Sequence, residues 1–346
     1  MKSGSRLLPA ALAGLALACA TTETPDQAAP PGPVPARFQP AVSYSAERGG
    51  TVLLVIERGE TVLESAGPGR DPRAPQPLHG ASDAFWGVLG VAAAEDGLLE
   101  LDEPVSATLP EFAGRRGRGE ITLRQLLDFT SGLESGYGRA VGSDEVFRLE
   151  MVAPPGERFQ YGPSHLRVFV TVLGRKLAAA GQNPDPLQYL EERILEPIDA
   201  ELAGWSRDQS GYADPGDGAS MDAQGWARFG ALLLHRGRVQ EREVVSTGAM
   251  EQVFRGSEPN PTFGLGVWLN TNTRRLIGER WGGRAPAPAF YADGLSDLVV
   301  ATGAGNQRLY VIPSLETVIV RFGVADHAFR DAELLSLLVT ALRDSA

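Results

Sequence analysis

Leu78-His-Gly-Ala-Ser-Asp-Ala-Phe-Trp-Gly87 opens a helix whose apolar run closes at Gly97, and the deciding residues lie in its first turn. Residues three apart share a helix face, so Gly80 and Asp83 stand together at its start. Ser82, two residues beyond Gly80, is rotated by ~200° and faces away from that pair. As an ordinary residue it caps the helix or fills its first turn. An anion such as Asp83 near a helix N-terminus gains ~0.3–1 kcal/mol. His79 can pair with Asp83, or it is an ordinary loop residue. Gly80-Ala-Ser-Asp-Ala84 approaches a Gly-x-Ser-x-Gly elbow, but that elbow follows a strand. This stretch instead follows the Pro-rich loop Pro68–Pro77.

Upstream, Thr51-Val-Leu-Leu-Val-Ile-Glu-Arg-Gly-Glu-Thr-Val-Leu63 reads as two strands joined at Arg58-Gly59. The first is nearly all apolar, as in a strand covered on both faces. Downstream of the helix, Glu95-Asp-Gly-Leu-Leu-Glu-Leu-Asp-Glu-Pro-Val105 leads to Ile121-Thr-Leu-Arg-Gln-Leu-Leu-Asp-Phe-Thr-Ser-Gly-Leu133. There Thr122 and Gln125 make a capping box, and Gly132 follows as a stop. Helices fit Ser164–Ala180, Pro186–Leu195 and Asp222–His235; in the last, Trp226, Phe229, Leu232 and Leu233 form a core face. Strands fit Leu298–Thr302, Gln307–Ile312 and Thr317–Phe322, followed by a helix over Ala328–Leu342.

Two further stretches carry chemistry by position. Pro154-Pro-Gly-Glu-Arg-Phe-Gln-Tyr-Gly-Pro-Ser-His165 holds Tyr161, with Pro163 set for the first turn of the next helix. Ala301-Thr302-Gly303 ends a strand. Together with Phe85-Trp-Gly, Leu101-Asp-Glu-Pro-Val and Thr130-Ser-Gly-Leu, these stretches resemble the serine β-lactamase and penicillin-binding superfamily, of class C β-lactamase, DD-peptidase and esterase type. The resemblance covers about residues 41–345. It implies an α/β (α+β) fold: an antiparallel sheet formed from both termini, packed on a central helical region.

The resemblance also implies three catalytic boxes, and each is altered. Ser-x-x-Lys puts the nucleophile at Gly80 and its lysine at Asp83. Tyr-x-Asn keeps Tyr161 and puts Pro163 in place of the amide. Lys-Thr-Gly keeps Thr302 and Gly303, which hold an edge-strand geometry, but has Ala301 for the cation. The chain has only two lysines, Lys2 and Lys176. Arginine stays protonated at any usable pH and does not replace a general-base lysine. Loss of a nucleophile of this kind costs about 10⁶-fold in serine proteases. Ser82 and Ser164 are the alternative nucleophile candidates.

The N-terminus is read apart from the fold. Residues 1–19 have a basic start in Lys2 and Arg6 and an apolar run Leu7–Ala18, too short to span a bilayer. They end in Leu15-Ala-Leu-Ala-Cys19, similar to a bacterial lipobox, so Cys19 is the expected lipidation site of an exported, membrane-anchored protein facing the periplasm or exterior. Cys19 is the only cysteine, which excludes an internal disulfide. Residues 20–40 form a Pro-rich linker reaching up to roughly 60 Å, and the domain spans residues 41–346.

A 43% apolar and 22% charged composition fits a soluble globular domain. The net charge of −11 argues against nucleic-acid binding. The scattered His79, His165, His235 and His327 give no metal-ligand spacing, and no cofactor is expected. The leading expectation is a lipid-anchored scaffold or binding pseudoenzyme with a peptide, cell-wall or protein ligand in its cleft. The alternatives are a serine hydrolase with rebuilt catalytic residues and a purely structural envelope lipoprotein.

Overall fold

The computed structural model describes residues 32–114, 117–271 and 294–344, with Met1 and Phe290. Residues 2–19 of the expected signal segment, with Cys19, and residues 20–31 of the expected linker lie outside the described residues. The strand β1 (Gly50–Glu57) turns at Arg58-Gly59, both with positive φ, into β2 (Glu60–Ala66). Primed turns of this kind match the right-handed twist of paired strands. The sheet is completed from the C-terminal half by β3 (Trp268–Leu269), β4 (Val299–Gly303), β5 (Gln307–Ile312) and β6 (Thr317–Gly323). All pairings are antiparallel, in the order β2-β1-β6-β5-β4-β3. The two ends of the chain meet where β1 pairs with β6, Leu54 opposite Val320.

Side chains alternate across a strand, and here each face has its own core. Leu53, Val55, Tyr310, Ile312 and Ile319 pack with Phe38 and with Leu334, Leu335 and Leu338 of the C-terminal helix Asp331–Arg343. Val52, Leu54, Leu309, Val311, Val318 and Val320 belong to the larger core, shared with the helical region. This is why β1 reads as unbroken apolar sequence. Phe38 is fully buried, and helical structure begins at Ala36–Phe38 and continues as α1 (Gln39–Glu47). The folded unit therefore starts before residue 41: the last residues assigned to the linker are part of it, held by burial of Phe38.

The helical region includes α2 (Asp83–Glu95), α3 (Leu123–Leu127), α4 (Ser164–Ala179) and α5 (Ala223–Leu234). Residues Asp83 to Ala93 of α2 are all buried, as expected for a helix apolar on every side. At about 1.5–3 kcal/mol for each large apolar side chain, its burial fixes the position of the turn at its start. The capping box at Thr122 forms as expected, with Gln125 returning a bond to the Thr122 amide. Pro186–Leu195 begins as an α-helix over Pro186–Leu190 and continues with wider turns over Glu191–Leu195. The last helix starts at Asp331, three residues later than the sequence pattern suggests.

Candidate active site

Gly80 lies in a tight helical turn, His79–Ser82, that runs directly into α2. A β-carbon placed on Gly80 would stand 2.6 Å from the Tyr161 hydroxyl and 3.5 Å from the Thr302 carbonyl oxygen. A β-carbon on Gly303 would stand 1.9 Å from the Leu78 carbonyl oxygen. Gly80, Tyr161, Thr302 and Gly303 thus stand close together, where the family resemblance puts its three boxes. β4 is the second strand from the sheet edge. However, β3 pairs only with Val299 and Val300, so Ala301–Gly303 projects past it and runs alongside the turn. Ala301 is buried in the core and supplies no charge.

The Tyr161 hydroxyl donates a 2.6 Å hydrogen bond to Asp83 Oδ2 and lies 3.4 Å from the Gly80 carbonyl. Tyr161 is held in place by neighbouring rings: Phe129 edge-on at 5.3 Å, and Trp268 stacked at 6.1 Å. Burial pushes the Asp83 carboxyl well above the ordinary carboxylate range; the Tyr161 bond opposes this, while Asp217 and Asp214 add to it. Burial and the Asp83 charge likewise push the Tyr161 phenol up. The site offers a carboxyl and a phenol that share one proton-bearing contact.

His79 does not pair with Asp83. It has a left-handed backbone (φ 54°), and its Nδ1 lies 3.1 Å from Asp217 Oδ1. That hydrogen bond holds the His79 imidazole above its ordinary pKa. A strained non-glycine backbone costs of order 1–3 kcal/mol, and the Asp217 contact helps to offset it. Asp214 and Asp217 were not singled out from the sequence. The signal was Asp214-Pro-Gly-Asp217, two acids on a tight turn, but nothing local indicated that the turn faces Gly80. Pro163 is explained by the same turn: a β-carbon on Gly216 would stand 2.7 Å from Pro163 Cβ. The position that lacks an amide is a packing contact.

Both alternative serines are structural in their surroundings. Ser82 is fully buried; its hydroxyl donates to the His79 carbonyl at 2.7 Å and accepts from the Ala219 amide at 3.2 Å. It stands at the N-cap position but makes no side-chain capping bond, so the capping expectation is corrected to a cross-link between the turn and Ala219. Ser164 is also buried, and its Oγ makes no hydrogen bond among the described residues. Neither has a base in contact, and a serine hydroxyl needs one to attack.

A serine and a histidine do meet elsewhere. His165 Nε2 lies 2.7 Å from the Gln160 carbonyl, which accepts only, so Nε2 carries the proton. Nδ1 then accepts the Ser131 hydroxyl proton at 2.7 Å, and the Leu133 amide donates to the same oxygen at 3.3 Å. Both residues are 0% exposed, and burial depresses His165 to about 4. The pair is closed by protein on all sides and ties Thr130-Ser-Gly-Leu to α4.

This frame, with sheet, buried helix and three converging boxes, is that of the serine-hydrolase class implied by the sequence. The β-lactamase family model matches residues 34–339, and the chain belongs to that family. It is similar to the 6-aminohexanoate-dimer hydrolase of Paenarthrobacter ureafaciens, with 26% identity over 226 residues, covering 59% of this chain and 57% of that protein. The chain thus matches little more than half the length of that relative. Among solved structures, a penicillin-binding protein homologue of Caulobacter crescentus superposes with a TM-score of 0.67 at 15% identity, covering 91% of this chain and 99% of that one. A D-stereospecific amidohydrolase of Streptomyces gives 0.64 at 16% identity, covering 88% and 98%. These structural likenesses establish the fold.

Proposed function

We propose that this protein is a pseudoenzyme of the β-lactamase family, whose cleft binds a ligand without forming an acyl-enzyme. The observation that carries the reading is Gly80 at the nucleophile position, with the Tyr161 hydroxyl 2.6 Å from where its β-carbon would stand. Among the described residues no lysine stands near, and Asp83, Asp214 and Asp217 give the cleft an acidic character. A carboxylate ~4 Å from an ionised Asp83 meets roughly 4 kcal/mol of repulsion at an effective dielectric of 20. When Asp83 is protonated it still offers no cation. The preferred ligands are therefore neutral or cationic groups, such as a peptide or cell-wall fragment blocked at its carboxyl end. We assign the protein to an envelope membrane through lipid on Cys19; palmitate labelling that persists in Cys19→Ala would overturn that part.

The test is intact-mass spectrometry after incubation with penicillin and p-nitrophenyl esters, where no adduct is expected. Calorimetry with a D-alanyl-D-alanine peptide should show binding improved when its C-terminus is amidated. A second reading is favoured by the Tyr161–Asp83 bond and by the hydrolase relative. In it Asp83 takes the phenolic proton and the Tyr161 oxygen adds to the substrate carbonyl carbon. The tetrahedral intermediate expels the leaving group, which takes the proton back from Asp83, and water then cleaves the resulting aryl ester to release the acid and free Tyr161. Its weakness is the upward push on the Tyr161 phenol, which opposes formation of the nucleophile. An adduct lost in Tyr161→Phe would establish this reading over the first. Absence of both adduct and binding would favour a purely structural role.

A further inference from the structure

The segment 206–217 has two faces. Toward the cleft it presents Asp214 and Asp217. On its other side, Arg207, Tyr212 and Ala213 line a cavity of about 630 Å³ that shares none of Gly80, Asp83, Tyr161 or Thr302. The segment is fixed between the two by Trp86, whose indole Nε1 donates to the Pro215 carbonyl at 2.6 Å. The volume lies within the range of small-molecule sites. Trp86, Phe147, Val170 and Leu187 supply apolar lining, and a narrower set of charges supplies direction.

Those charges are unequally committed. Of the acids in the wall, Asp144 is engaged by Arg148, and Asp185 accepts the Leu187 amide at 3.0 Å. Of the cations, Arg175 is clamped by both oxygens of Glu111, at 2.9 and 2.7 Å. Arg167 and Arg207 differ. The Arg167 guanidinium, 2% exposed, donates to the Val141 and Ala213 carbonyls at 2.8 and 2.9 Å, and Asp208 stands off at 3.8 Å. Arg207 donates to the Gly211 carbonyl at 2.9 Å, and Asp185 again stands off at 3.8 Å. Both guanidinium groups hydrogen-bond directly to carbonyls and form longer ion pairs, Arg167 with Asp208 and Arg207 with Asp185. Arg167 is buried, with Asp214 and Glu145 also acting on it, while Arg207 is half exposed at the rim. Arginine presents a planar fork suited to a carboxylate.

We propose that this cavity is a second ligand site, separate from the family cleft, for a small carboxylate with an aromatic or aliphatic body. The body lies against Phe147 and Val170, and the carboxylate turns to Arg207 at the rim.

Calorimetry on the full-length chain tests this with 1-naphthylacetate as the probe. The controls are 1-naphthylethylamine, which carries the same body on a cation, and acetate, which carries the anion alone. Naphthylacetate should bind about tenfold or more tightly than either control. Arg207→Gln, at a half-exposed position that the fold does not depend on, should weaken it about tenfold, as for one lost hydrogen bond to a charged group. Val170→Trp should abolish binding by filling the cavity, whereas Tyr161→Phe in the cleft should leave it unchanged. Equal binding of the amine, no binding of naphthylacetate, full affinity in Arg207→Gln, or loss of affinity in Tyr161→Phe would each overturn the proposal. None of these readouts depends on whether the cleft acylates.

Discussion

Asp83 in the cleft and His165 beneath the frame are both buried titratable side chains, and their surroundings treat them differently. His165 has both ring nitrogens matched, one by the Gln160 carbonyl and one by the Ser131 hydroxyl. Asp83 has the Tyr161 hydroxyl on one oxygen and two further carboxyls for company. A buried polar group that is fully matched holds a structure together, whereas one set among like charges is maintained at a cost. The comparison separates a histidine that serves the fold from an aspartate whose retention needs a ligand or a reaction to explain it.

The strongest way to break that contrast is to delete each group. His165→Ala removes two hydrogen bonds and leaves a void, and should cost about 3–5 kcal/mol. Asp83→Asn, which keeps shape and removes a buried charge, should stay within about 1 kcal/mol of the parent. Urea denaturation measures both; equal losses would show that Asp83 is structural too.

The pH dependence should also run in opposite directions. His165 titrates near 4 when folded and near 6.5 when unfolded. The unfolded chain therefore binds the proton first as pH falls. The stability from burying neutral His165 is present above about pH 6.5 and is lost toward pH 4, an effect of about 3 kcal/mol. Asp83 has its folded value raised, so its contribution is present in acid and is lost as pH rises through that value. Melting curves from pH 4 to 7 should show the deficit of His165→Gln widening with pH, while Asp83→Asn gains on the parent. Parallel slopes would contradict the assignment of either group.

Smaller effects sharpen the picture. Ser82→Ala loses two hydrogen bonds and should cost about 1–2 kcal/mol, with no change in reactivity toward a fluorophosphonate. A labelling signal that disappears in this variant would make Ser82 a nucleophile after all. The smallest expected gain is chemical. Gly80→Ser with Asp83→Lys returns nucleophile and base to one helix face but restores neither the amide replaced by Pro163 nor a cation at Ala301. Penicillin acylation should then be slow at most, and absent in Gly80→Ser alone, as followed by mass spectrometry.

Much of this was legible in the sequence because it is local. The two-sided burial of β1, the capping box at Thr122, and the shared face of Gly80 and Asp83 all follow from residues a few positions apart. The convergence of Gly80, Tyr161 and Thr302 was legible through family spacing. What escaped was contact between distant loops. Asp217 reaching His79, Ser131 reaching His165, and Gly216 packing on Pro163 each join segments separated by more than thirty residues, with no periodic pattern to mark them. The start of the fold at Phe38 escaped for another reason: prolines on either side suggested a linker, and burial of one aromatic ring overrode them.

The closeness of Tyr161 to Gly80 also shapes what a substitution at position 80 does to the cleft. Any side chain introduced at position 80 brings its β-carbon to 2.6 Å from the Tyr161 hydroxyl, so the phenol must shift to admit it. Glycine there ties position 80 to the phenol: a substitution at 80 is felt first at the Tyr161 hydroxyl and, through its hydrogen bond, at Asp83.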